Sequence, residues 1–63
     1  MEEYKQAISD AGYKCQVSYM DYGIAEADET FQNQSRKIAE QFNLPAKCVG
    51  ADLKNWIEQG EIL

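Results

Sequence analysis

The side chains that could carry out chemistry are two cysteines and a group of carboxylates. Cys15 and Cys48 are the only thiols, and the chain contains no histidine. A nucleophilic thiol needs a base within hydrogen-bond reach, and histidine is the usual one. Histidine and cysteine are also the common zinc ligands, so two cysteines without histidine do not favour a zinc site. We therefore expect a chain that is not an enzyme, with no catalytic residue, no cofactor and no metal site.

The carboxylates are concentrated in one short segment, in which four acids fall within nine residues without a base: Asp21, Glu26, Asp28 and Glu29. They lack the Asp-x-Asp-x-Asp-Gly spacing and the final glutamate of a calcium loop. Paired carboxylates can hydrolyse glycosides, but a chain of 63 residues is too small to enclose a sugar. We interpret the cluster as surface charge that repels nucleic acid and attracts a basic surface. The alternative is that the acids only keep the protein soluble.

Length and charge distribution restrict the class of protein further. With 63 residues the chain forms one domain, and its formal net charge is −5. Residues 1–29 contain seven acids and two bases, whereas residues 30–63 contain four of each. The amino terminus is polar, without the apolar run of a secretory signal, and no apolar stretch approaches the ~20 residues of a membrane span. These features favour a cytoplasmic, reducing location, where a disulfide is not expected.

The first half of the chain predicts a helix followed by a β-hairpin. Residues 2–11 place their apolar side chains on one helical face, and Gly12 is suited to end that helix. In residues 13–22, apolar residues alternate with polar ones, as in a half-buried strand. Residues 24–29 are ambiguous between the second strand of a hairpin and the start of a helix. We favour the hairpin, because a lone strand needs a partner for its backbone groups.

The second half predicts two packed helices. The first covers residues 30–43, and Pro45 begins the second, which Gly60 ends. The fold class is therefore α+β, with an N-terminal helix, a β-hairpin and two packed helices in a single domain, residues 1–63. The predicted core consists of Ile8, Val17, Tyr19, Phe31, Ile38, Phe42, Val49, Leu53, Trp56 and Ile57.

The predicted helical hairpin at residues 35–60 has one resemblance to known proteins. Residues 35–45 and the following helix, with Trp56 close to Gly60, resemble the helix-turn-helix of small excisionase-type and MerR-like regulators. The resemblance implies a DNA-binding regulator as an alternative function. The outer face of the last helix departs from that family, because its two lysines alternate with two acids whereas DNA binding normally shows a basic stripe.

The main functional hypothesis concerns the hairpin region. Tyrosine and methionine are enriched at the centres of protein interfaces, and acids steer basic partners. The predicted partner-binding residues are Tyr19, Met20, Asp21, Tyr22, Glu26, Asp28 and Glu29. The alternative for Tyr22 is that its ring only folds over the end of the hairpin.

In size and charge the chain resembles the small acidic accessory and inhibitor proteins of phages and mobile elements. The resemblance implies a regulatory protein-binding domain that docks on a basic surface of a larger protein. If that surface normally holds nucleic acid, the domain would compete with it. Nucleic acid and membrane are not expected partners, and a homodimer is a further possibility.

Overall fold

The computed structural model describes residues 2–59, which form three α-helices. Helix α1 spans Glu2–Tyr22, α2 spans Ile24–Phe42 and α3 spans Ala46–Glu58. The described part of the chain contains no strand. The predicted α+β class with its β-hairpin is therefore wrong, whereas the two packed helices of the second half are confirmed.

Residues 13–22, predicted as a strand, are the second half of α1. Gly12 does not end the helix; it lies inside α1, at a point where Trp56 of α3 packs against the backbone. A Cβ atom at Gly12 would overlap the ring of Trp56. The buried stripe therefore continues through the glycine at helical spacing. Its members are Ile8, Ala11, Gly12 and Cys15.

The single residue between α1 and α2 is Gly23, with φ 100° and ψ −175°. This conformation is essentially restricted to glycine. The Gly23 N–H donates to the Tyr19 carbonyl at 2.9 Å, and the Gly23 carbonyl accepts from the Ala27 N–H at 3.1 Å. One glycine therefore ends α1 and begins α2, and the ambiguous residues 24–29 are the first turns of a helix.

The turn between α2 and α3 has the predicted position. Asn43 adopts the left-handed conformation at φ 57°, and the Leu44 N–H donates to the Ala39 carbonyl at 2.9 Å. Pro45 precedes α3 in extended geometry. Its fixed φ fits the start of a helix, where a missing N–H costs nothing. Gly60, predicted to end the last helix, lies outside the described residues.

Helices α1 and α2 run antiparallel, and α3 lies across both. The Tyr4 ring near the start of α1 meets the Phe42 ring near the end of α2 edge to face, with centroids 5.5 Å apart. Near the other end, the Ser18 and Thr30 hydroxyls are hydrogen-bonded at 2.9 Å. Trp56 of α3 meets the Tyr13 ring of α1 with centroids 5.1 Å apart.

The core lies where the three helices meet. Its buried apolar residues are Ile8, Ala11, Cys15, Ile38, Ala39, Val49 and Leu53. Four of the ten predicted core residues belong to this set, and four more are partly buried against it: Phe31, Phe42, Trp56 and Ile57. The prediction is wrong for Val17 and Tyr19, because their side chains are 56% and 57% exposed. No helix within residues 2–59 is long and apolar enough to cross a bilayer.

A candidate binding groove at the corner of α1 and α2

The three helices differ in length, and residues 2–59 leave one end of the core surface open. At about 1.5 Å per residue, α1 and α2 are each roughly half again as long as α3, with 21 and 19 residues against 13. Between the last turns of α3 and the α1–α2 corner at Gly23, a groove of about 560 Å³ opens. We call it the corner groove; its lining residues are Cys15, Gln16, Tyr19, Met20, Ile24, Ala27, Asp28, Phe31, Lys54 and Ile57.

The corner groove continues the core stripes of two helices. Tyr19 follows the buried Cys15 by one helical turn on α1, yet its side chain is 57% exposed. On α2, Ile24 lies seven residues before the half-buried Phe31 and is 76% exposed. Ile57, near the end of α3, forms the third side. The exposed apolar surface is thus positioned by the same helical periodicity that builds the core.

The structure places the seven predicted binding residues at one end of the molecule, but only some of them in the groove. Tyr19, Met20 and Asp28 line it. The other four are exposed within two residues of Gly23 or in the first two turns of α2, and do not line it: Asp21, Tyr22, Glu26 and Glu29. The seven other lining residues were not among the predicted binding residues: Cys15, Gln16, Ile24, Ala27, Phe31, Lys54 and Ile57. The spacing of Ile24, Ala27 and Phe31 is a helical signal that could have revealed the α2 side.

The charges around the corner are mostly acidic and uncompensated. Asp28 accepts a hydrogen bond from the Gln32 amide at 3.4 Å. Within residues 2–59 the one ion pair joins Lys54 Nζ to Glu58 Oε2 at 4.0 Å. The four acids of residues 21–29 therefore have no ion-pair partner in the described part of the chain. Their combined field is available to act on a basic partner.

The alternating pattern of residues 13–22 predicts a buried Cys15, and the polar side of the last predicted helix predicts an exposed Cys48; the structure agrees for both thiols. Cys15 is buried beneath the groove and Cys48 is exposed on α3. Burial raises the pKa of the Cys15 thiol, which lowers the fraction present as the nucleophilic thiolate. Among residues 2–59 no three potential metal ligands are grouped together. What the groove offers a ligand is therefore apolar contact, with Asp28 and Lys54 as its charged lining residues.

The outer face of α3 has the mixed charge that the sequence indicated. Lys54 is paired with Glu58, and Asp52 accepts a hydrogen bond from the Tyr4 hydroxyl at 2.5 Å. Burial, reinforced by the bond to Asp52, raises the pKa of Tyr4 to about 12. The Tyr4–Asp52 hydrogen bond ties the start of α1 to α3 outside the corner groove.

Comparison of the chain with protein-family models, with curated proteins and with solved structures gave no match. The function is therefore inferred from the chemistry of the chain's own surfaces.

Proposed function

We propose that this chain is a non-enzymatic protein-binding domain whose corner groove receives an apolar helix face of a larger protein. The observation that carries the proposal is the continuation of the α1 and α2 core stripes into solvent at Tyr19 and Ile24. An apolar helix face normally packs against another element. A fourth helix laid along the groove would supply that element and complete the packing.

The groove suits a helix better than a small molecule. Its volume of about 560 Å³ falls within the range of small-ligand sites. Such sites, however, usually combine apolar walls with several convergent polar groups that fix the ligand's orientation. Here the polar side chains of the lining are those of Gln16, Tyr19, Asp28 and Lys54, all exposed and spread over three different helices. Helix recognition needs only apolar anchors at one-turn spacing inserted into an apolar groove.

The charge around the corner indicates the character of the partner. Residues 21–29 carry four acids and no base. Bases flanking the apolar face of a partner helix would approach these acids, which raises the association rate and disfavours acidic competitors. The proposed partner is therefore an amphipathic helix rich in lysine or arginine. If that helix normally contacts nucleic acid, binding here blocks it, as expected of a small accessory or inhibitor protein.

The test is affinity capture from nuclease-treated lysate with three forms of the protein: wild type, Ile24→Ser and Leu44→Ser. Ile24 lies in the groove, and Leu44 is an exposed leucine in the α2–α3 turn. Loss of an interface anchor costs about 2 kcal/mol, or roughly 30-fold in the dissociation constant. We expect that wild type and Leu44→Ser capture the same partner protein and that Ile24→Ser does not.

A retained protein is then titrated directly against the three forms and against Glu26→Gln/Asp28→Asn, with Lys37→Ala/Lys47→Ala as the control for charge. We expect the acidic double variant to lower the association rate and its dependence on salt. Equal retention by all forms, or weakening only in the lysine variant, would place the binding face elsewhere and contradict the proposal.

A further inference from the structure

A second apolar surface lies on the side of α1 opposite the buried Cys15, with the Tyr13 ring at its edge in contact with Trp56. Tyr13, Val17 and Met20 follow one another at four- and three-residue spacing, so they share one helix face. They are 58%, 56% and 80% exposed. We call them the outer stripe. Of the three, Met20 also borders the corner groove.

Lys14 and Asp21, of opposite charge, flank the outer stripe on the same side. Asp10 lies one turn before Lys14 on that side and accepts a hydrogen bond from the Gln6 amide. Lys14 and Asp21 lie seven residues apart on α1, which brings them to nearly the same angular position. Seven residues correspond to about 10 Å along the axis, so the two side chains do not pair within one chain. Lys14 is the only base in residues 6–35, and no ion pair involves it in the described part of the chain.

We propose that a second copy of the chain covers the outer stripe, with the two α1 helices packed antiparallel about a two-fold axis. A two-fold interface uses the same surface twice, so that each contact occurs in two symmetric copies. In this arrangement Val17 of each chain packs against Met20 of the other. The flanks that carry Lys14 and Asp21 then face each other, and each Lys14 meets the other chain's Asp21.

The charges select this orientation over a parallel one. In a parallel pair, each charged flank would face the opposite flank of the second helix, where the neutral Gln16 lies. In the antiparallel pair, the one base of this region approaches Asp21 at the acidic corner of the other copy, and the cluster of residues 21–29 gains a counter-charge. Because the stripe covers little more than two helical turns, its area falls below the ~1,600 Å² of a stable interface. The dimer is therefore weak and dissociates on dilution.

The experiment is sedimentation equilibrium of the full chain from micromolar to near-millimolar concentration. We expect wild type to dimerise reversibly and Val17→Ser to remain monomeric. Lys14→Asp or Asp21→Lys alone replaces two symmetric attractions by repulsions, which weakens association about tenfold or more. The double variant Lys14→Asp/Asp21→Lys restores the pairs and returns the dissociation constant to within about threefold of wild type.

Thermal unfolding of each variant verifies folding, because Lys14→Asp also places an acid one turn after Asp10. Ile24→Ser, the groove variant, is expected to dimerise normally, so that failure of this proposal and failure of the groove proposal are distinguishable. A wild-type chain that stays monomeric throughout would overturn the inference. So would a double variant that associates no better than the single ones, because only an antiparallel contact between chains brings the two positions together.

Discussion

Two glycine-to-alanine substitutions in helix interiors should have opposite effects on stability. An alanine is favoured over a glycine inside a helix by about 1 kcal/mol. Gly12 of α1 and Gly50 of α3 both occupy such positions. On propensity alone, both substitutions would stabilise the protein, and any difference between them must come from their surroundings.

The surroundings differ sharply. At Gly50, a new Cβ would lie 3.8 Å from Phe31 Cε1 and from Ser35 Oγ, an ordinary van der Waals separation. At Gly12, a new Cβ would overlap Trp56 Cε3 and Cζ3 and lie 3.0 Å from Cδ2. The indole would have to move, which adds an overpacking cost of about 1–3 kcal/mol. It would also lose the edge contact with Tyr13, about 0.5–1.5 kcal/mol.

We therefore expect Gly50→Ala to stabilise the protein by about 1 kcal/mol and Gly12→Ala to destabilise it by about 1–3 kcal/mol net. For so small a domain, 1 kcal/mol shifts the melting temperature by about 4–8 °C. The two variants should thus differ by about 10 °C or more. The assay is thermal and urea unfolding by far-ultraviolet circular dichroism. The fluorescence of Trp56, the only tryptophan, should change in Gly12→Ala alone. Equal stabilisation by both alanines would refute the close approach of α3 to Gly12.

Four further predictions concern Trp56, the two thiols, the Tyr4 hydroxyl and the binding of duplex DNA. Trp56→Ala should lower the free energy of unfolding by about 3 kcal/mol, at the low end for aromatic truncation because the ring is only partly buried; an unchanged urea midpoint would contradict this packing. Cys48 should react quickly with a thiol reagent in the folded protein and Cys15 only on unfolding; equal rates would argue against the buried thiol. Because the pKa of Tyr4 is raised from 10 to about 12, its contribution to stability is complete below pH 10 and is lost as the pH rises toward 12. Measured by urea unfolding, the free energy of unfolding should fall more between pH 10 and 12 for wild type than for Tyr4→Phe. Parallel plots of that free energy against pH for the two proteins would exclude the effect. Finally, the isolated protein should not retain duplex DNA at physiological salt, whereas binding tighter than ~1 μM that weakens steeply with salt would support the helix-turn-helix alternative.

The second half of the chain could be predicted because its signals are local. Pro45 fixes the start of α3 through its own backbone geometry, and Val49 and Leu53 reveal the buried face through their spacing alone. The opposite faces of Cys15 and Cys48 were also predicted correctly. Each of these inferences needs only residues within a few turns of one another.

The first half was misread because α1 has two apolar faces. The buried face contributes Cys15 and continues to Tyr19, while the outer stripe contributes Tyr13 and Val17. Since the two sets interleave along the chain, they produce an apolar residue at every second position, which is also the pattern of a half-buried strand. Gly12 reinforced the error, because its role is a contact with Trp56, 44 positions later in the chain.

The sequence predicts where the site lies but not which residues line it. The lining depends on how the three helices pack, which a local sequence pattern does not reveal. The tyrosines and acids near Gly23 identified the correct end of the molecule. Which side chains line the groove depends on where α3 stops, and that is a consequence of how α3 crosses α1 and α2. The sequence pattern therefore predicts Ile57 as an ordinary core residue, although its side chain lines the corner groove.

The distribution of exposed apolar side chains distinguishes a binding surface from incidental exposure. A protein of this size exposes isolated apolar residues without consequence, and such residues would be scattered over all three helices. Here six of the seven large ones lie in residues 13–24, with Leu44 as the exception. Burying Tyr19 and Ile24 against α3 would have added to a core that supplies only about 3–5 kcal/mol in so short a chain. A short α3 leaves that stabilisation unused at one end, beside the chain's densest cluster of acids, and a surface of this kind gains its stabilisation when a partner covers it.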